Sequence, residues 1–223
     1  MAGYEGEPER VWDEYDWERF LQQQEDKAEK YMRLLEEYLD DAQRDEIIAR
    51  EMGWTQLSDA RDWSAELDAL ADEGAAEEDD SSVDEASRSA EPFERHDLYR
   101  AAFALTIWID HLFDRNAALP NEPTAVKLAT QAALANAKLA AALSSDSLSE
   151  IGMTIAYLKR ALKAITVSMD AAAQLRKIAG LVTRSQYAVL RKRLFHVRDG
   201  IVTLMGEYRG EWRRRFGPES FRG

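Results

Sequence analysis

Apolar residues recur at a 4,3,4,3 spacing in four segments of the second half of the chain. This spacing is typical of a helix that packs one apolar seam against other helices. No charged residue and no histidine falls in these seams. The pattern therefore predicts an all-α protein with an antiparallel four-helix bundle. The four seams are Leu98, Ala102, Leu105, Ile109 and Leu112; Ala125, Leu128, Ala132, Ala135, Leu139 and Ala142; Ile151, Ile155, Leu158, Leu162, Ile165, Met169 and Ala172; and Tyr187, Leu190, Leu194, Val197, Ile201, Leu204 and Tyr208.

Local signals mark the ends of these four helices. We expect the first to run from near Pro92 to near Asn116, and Asn121 to cap the second, with Pro123 in its first turn. Short connections favour antiparallel neighbours. Capping boxes that begin the third and fourth helices are predicted at Ser147 with Glu150 and at Thr183 with Gln186.

The N-terminal part predicts a helical arm over residues 1–73. A long helix should cover about residues 11–42, with a seam that includes Trp17, Gln24 and Ala28, followed by a short helix that ends at Gly53. A third helix should reach about residue 71. Residues 74–92 are acidic, small and polar, which is typical of a flexible linker. The bundle then spans residues 93–217, and residues 218–223 form a tail.

Charge is divided unevenly along the chain. Residues 1–100 carry 32 acidic and 11 basic side chains, a net charge of −21, whereas residues 101–223 carry 10 and 18, a net charge of +8. The whole chain is acidic, with a net charge of −13. Opposite charges attract, so we expect the arm to dock on the bundle of its own chain or of another subunit.

The sequence lacks features that are typical of several classes of protein. The chain has no Cys, no run of about 20 apolar residues and no apolar segment near its N-terminus. We therefore predict a cytoplasmic protein with no membrane partner and no cofactor. The 21 Arg against 8 Lys suggest a GC-rich bacterial coding bias.

Enzymatic bundles place carboxylates and imidazoles on inward positions, often as Glu-x-x-His. None of the three histidines, His96, His111 and His196, has Glu three residues before it. Asp110, His111 and Asp114 do share one turn on the outer side of a helix. They give a weaker alternative, a surface metal site in a metal-dependent bundle enzyme.

The segment LRKRLFH at residues 190–196 resembles the Arg-x4-6-His motif of HEPN-type ribonucleases, which are also small helical bundles. The resemblance covers a few residues and implies that Arg191 and His196 act together on RNA at a dimer interface. Lys192 departs from the polar residue that often follows the Arg in that family. A HEPN-like ribonuclease is therefore an alternative function.

Arginine and aromatic side chains interleave near the C-terminus, at Trp212, Arg213, Arg214, Arg215 and Phe216. This pattern occurs in proteins that bind single-stranded nucleic acid. Cations also complement the dipole at the C-terminal end of a helix, and the acidic arm offers them a partner. Nucleic-acid binding is thus a second alternative, and docking of the arm is preferred.

The first bundle helix has more apolar surface than one seam uses. Phe103 and Ile107 lie on its outer side, and Trp108 and Phe113 widen the apolar arc. A helix that is apolar nearly all round is normally covered on both sides. We predict that the arm or a partner subunit covers Phe103 and Ile107. The preferred function is accordingly a non-catalytic interaction or regulatory module that self-associates.

Overall fold

The computed structural model describes residues 11–54, 91–144, 150–178 and 181–217, and within this part the secondary structure is entirely helical. No described helix is long and apolar enough to cross a membrane. Two short 3-10 helices cover Pro92–Arg95 and Leu119–Asn121. The α-helices are α1 (Glu14–Glu37), α2 (Arg44–Met52), α3 (Asp97–Asp114), α4 (Pro123–Leu143), α5 (Ile151–Leu175) and α6 (Arg184–Phe216).

Most helix ends follow the local signals in the sequence. Gly53 ends α2 with a φ of 74°, a left-handed conformation that glycine adopts without strain from a Cβ atom. Thr183 and Gln186 form the predicted capping box of α6. The cap of α4 is Glu122, whose side chain accepts a hydrogen bond from the Thr124 N–H, so the prediction of Asn121 was wrong by one residue.

Three of the predicted segments lie outside the described residues. They are the third arm helix, residues 74–90 of the predicted linker, and the tail at 218–223. The capping residue predicted at Ser147 also lies outside them. Helix α1 is shorter than expected, because residues 38–40 form a turn rather than a further helical turn.

The chain divides into two compact units. The second unit, Arg19–Ser89, contains most of α1 and all of α2. Its buried apolar side chains in the described part are Leu34 and Ile48. The seam predicted for α1 is interrupted, since Gln24 and Ala28 are exposed.

The first unit, Met1–Glu18 with Ala90–Gly223, holds the main core. Helices α3–α6 contact one another in ring order: α3 with α4, α4 with α5, α5 with α6, and α6 with α3. Every residue of the first two predicted seams is buried, and most of the third and fourth are. The half-buried exceptions are Leu162, Met169, Tyr187, Leu204 and Tyr208.

The most extensive contact joins α4 and α5. Small side chains at the buried positions of both helices let two backbones approach closely. At this contact the Ser168 hydroxyl, which is fully buried, donates a hydrogen bond to the Leu128 carbonyl oxygen at 3.4 Å. Helix α5 is also buried on a second face that the predicted seam omits, and its members include Thr154, Ala161, Ala164, Ser168, Ala171 and Leu175.

Candidate interaction surface

An apolar ridge lies on the outer side of α3. It consists of Phe103 and Ile107, one helical turn apart, which are 49% and 40% exposed. We call this pair the α3 ridge. The side chains opposite them on the same helix, such as Leu105 and Ile109, are almost completely buried. The ridge is therefore the outermost line of a helix whose inner line is core.

Aromatic stacking holds the Phe103 ring in place. The Tyr99 ring lies parallel to it within 14°, with 6.3 Å between the ring centroids. The Phe93 and Tyr99 rings meet edge to face, with 4.9 Å between their centroids. Aromatic pairs in these arrangements attract one another beyond their burial of area. Phe103 is consequently part of a row of three aromatic rings, Phe93, Tyr99 and Phe103.

Trp108 and Phe113, the other apolar residues predicted for this surface, are half-buried and pack against the core. They lie on the flanks of α3, away from its outer line. The structure thus brings Phe103 and Ile107 together and directs Trp108 and Phe113 elsewhere.

The acidic turn after the ridge is exposed. His111 Nδ1 lies 3.6 Å from Asp114 Oδ2, and both side chains are more than 60% exposed. Asp110 is on the same exposed side. Among the described residues, no three His, Asp or Glu side chains form a group that could hold a metal ion. The alternative metal site therefore gains no support from this geometry.

Arg191 and His196, the pair suggested by the HEPN resemblance, line different cavities. Arg191 stands over the Phe195 ring at 5.2 Å and lines a cavity of about 280 Å³ with Asp170. His196 lines another cavity, of about 540 Å³, together with His96. Neither cavity contains both side chains, so the single chain does not bring Arg191 and His196 together in one cavity.

Several side chains of the C-terminal aromatic and arginine cluster already contact the core or other residues of α6. The Trp212 ring is half-buried against the core and lies 6.0 Å from Phe216. Arg214 and Arg215 both donate hydrogen bonds to the Glu211 carboxylate. The bond from Arg215 is the main reason that the pKa of Glu211 is lowered. Two of the three predicted basic side chains thus already have an acidic partner on the same helix.

A second surface, which sequence reasoning did not locate, is the groove under the start of the chain. Residues 12–18 pack there within the first unit, and we call them the N-terminal strap. Glu18 accepts two hydrogen bonds from Arg160 on α5, at 3.3 and 3.2 Å. Glu14 accepts two from Arg209 on α6, at 2.9 and 3.0 Å. In the sequence, the four-residue spacing of Glu14 and Glu18 was the available signal for these contacts.

Close packing accompanies these ion pairs. A Cβ atom placed on Gly152 would lie 2.5 Å from the Trp12 carbonyl oxygen and 2.9 Å from the Trp17 ring. The strap backbone therefore approaches α5 so closely at position 152 that a residue with a Cβ atom would collide with it. Lys159 also stands over the Tyr15 ring at 4.7 Å. Docking of this part of the arm by charge and apolar contact agrees with the sequence expectation.

Comparison of the chain with models of protein families, with curated proteins and with solved structures finds no match. The function must accordingly be argued from the surfaces of the molecule itself.

Proposed function

We propose that this chain is a non-catalytic, cytoplasmic helical module that acts by binding protein chains, its own copies included. The α3 ridge is its recognition surface. The observation that carries the proposal is the exposure of two large apolar side chains side by side on an ordered helix. Apolar side chains exposed singly are common on protein surfaces, whereas contiguous apolar patches mark interaction sites, and the adjacency of Phe103 and Ile107 supports the second case.

The architecture we propose for the first unit is an antiparallel four-helix bundle. Support comes from the ring order of contacts among α3–α6 and from the short connections between consecutive helices. In such a bundle the outer helix faces that the strap does not cover are open to a partner. The polar side chains buried in the described core are only Thr154 and Ser168, so the inward positions serve packing.

The surface is tested by replacing both ridge residues with aspartate in the full chain. Phe103→Asp with Ile107→Asp places two charges where the proposal requires dry apolar contact. We expect the average mass measured by light scattering at high protein concentration to fall to that of the monomer. The melting temperature at low concentration should change little, because both side chains already face solvent.

A matched control uses exposed apolar residues on another helix. Val189 and Val202 on α6 are 41% and 44% exposed, and Val189→Asp with Val202→Asp adds the same two charges. This control should keep the wild-type mass. An unchanged mass in the ridge variant, or an equal loss in both variants, contradicts the proposed role of the ridge.

A further inference from the structure

The outer line of α3 carries charge at both ends of the ridge. Arg100, Phe103, Ile107 and Asp110 follow a 3,4,3 spacing, which places all four on one stripe of the helix. All four side chains are exposed. The stripe thus reads basic, aromatic, aliphatic, acidic from its N-terminal to its C-terminal end.

The stripe on one helix is complementary to the same stripe on a second helix that runs in the opposite direction. If two copies of α3 lie antiparallel about a two-fold axis at the level of Leu105, Phe103 of each copy meets Ile107 of the other. The same operation sets Arg100 of each copy beside Asp110 of the other. Two-fold pairing uses one patch twice, so it requires a self-complementary patch.

We propose that the occupant of the α3 ridge is a second copy of this chain, bound antiparallel through Arg100, Phe103, Ile107 and Asp110. The inference rests on the proposed function, and it adds the partner and the register of pairing. Parallel pairing of the two helices in register is disfavoured, because it sets Arg100 beside Arg100 and Asp110 beside Asp110. Repulsion between like charges is a common source of specificity in paired helices.

Arg100 is already held by a weak partner within the chain. Its guanidinium donates a hydrogen bond of 2.7 Å to Asp97, and the two side chains are 67% and 91% exposed. Exposed pairs of this kind contribute little to stability. Arg100 is therefore able to turn to Asp110 of a second copy, where the adjacent ridge excludes water.

One helix pair buries less area than a standard protein interface of roughly 1,600 Å². We expect a dissociation constant on the order of micromolar or weaker. Self-association should thus appear over a concentration series in the full-length protein, and the measurement must extend to high protein concentration.

Charge reversal of the full chain tests the register. Arg100→Asp alone and Asp110→Arg alone each create two like-charge contacts per dimer, so each should weaken the dimer about tenfold or more. The double variant Arg100→Asp/Asp110→Arg restores both pairs and should dimerise like the wild type. An equal mixture of the two single variants should form heterodimers, identified by native mass spectrometry. Circular dichroism checks that each variant is folded.

Each outcome decides a separate point. If both single variants dimerise like the wild type while Phe103→Asp/Ile107→Asp is monomeric, the ridge is the surface and the proposed register is overturned. If neither the mixture nor the double variant recovers dimers, the pairing of Arg100 with Asp110 is also overturned. If the wild type stays monomeric at every concentration, both the self-association and this inference fail.

Discussion

The first unit presents two surfaces that differ in what covers them. The groove between α5 and α6 is filled by the chain's own strap, through two acidic side chains on two arginines. The α3 ridge is more apolar, yet Phe103 and Ile107 are exposed in the single chain. Charge and close packing thus close one surface within the molecule, whereas the other is exposed to solvent, and it is the surface that we propose for a partner.

The two surfaces differ in the interaction that stabilises contact with them. The strap brings its own counter-charges, and an arginine that is mostly withdrawn from water, such as Arg160 with 10% of its side chain exposed, requires one. The ridge gains from removal of apolar area from water, which any complementary apolar surface supplies. We therefore expect the strap to respond to charge and to glycine substitutions, and the ridge to respond to concentration.

The largest expected effect distinguishes the two sides of α3. Leu105 is 1% exposed and lies on the inner side. Leu105→Ala should lower the free energy of unfolding by about 2–5 kcal/mol, because it leaves a cavity in the core. Phe103→Ala should cost less than about 1 kcal/mol at low concentration and instead weaken association. Urea unfolding of both variants checks this, and equal losses would mean that the ridge is part of the core.

The next effect concerns the acidic side chains of the strap. Glu14→Gln with Glu18→Gln removes both charges while preserving shape, so the strap should loosen and stability should fall by about 1–3 kcal/mol. Hydrogen exchange of the amides at residues 14–18 measures the loosening. The mass of the ridge-mediated dimer should not change. Unaltered exchange would show that packing alone holds the strap.

Substitution of Gly152 separates packing from charge. Gly152→Ala favours the helix by about 1 kcal/mol, but its Cβ would lie 2.5 Å from the Trp12 carbonyl oxygen, so the strap backbone would have to move away. We expect the strap to detach and become sensitive to protease. Gly206→Ala on α6 is the control, because nothing lies within 4 Å of the added atom. Similar digestion patterns for the two variants would contradict the close contact of the strap.

The smallest expected effect concerns the ion pairs that Glu211 forms with Arg214 and Arg215 on α6. The pKa of Glu211 is lowered by its bonds to Arg215 and Arg214, so the charged form favours the folded state. This contribution is present above the ordinary glutamate pKa of about 4.3 and is lost as pH falls through the lowered folded-state value. Glu211→Gln should make the melting temperature slightly less dependent on pH below about pH 4. A steeper dependence would reverse the assigned sign.

The sequence predicted the inner faces of α3 and α4 completely, because apolar residues, large ones on α3 and mainly alanine on α4, repeat there at a regular helical spacing without a polar interruption. It missed the second buried face of α5, since the pattern followed one seam of mainly Ile, Leu and Met and passed over Ser168 and its small neighbours on the other face. It also assigned α1 a seam like the others. Only Leu34 is buried on that helix, and the residues at each end of α1 belong to different compact units.

The candidate surfaces were predictable to different degrees. Phe103 and Ile107 follow from the heptad position alone, because an outward apolar pair stands out against polar neighbours. Trp108 and Phe113 were grouped with them because their exact orientation depends on the adjacent helices. The strap contacts join residues about 140–195 positions apart, and no local pattern identifies which arginine meets which carboxylate.

The central claim is that a second copy of this chain covers the α3 ridge. A photo-crosslinking amino acid at position 103 of the full chain tests it most directly, with the same amino acid at position 202 as the control. We predict a covalent dimer at position 103, with the crosslink mapped by mass spectrometry to residues around Ile107 of the second copy, and no dimer from position 202. Absence of dimer at position 103, or equal yields at both positions, would contradict the account.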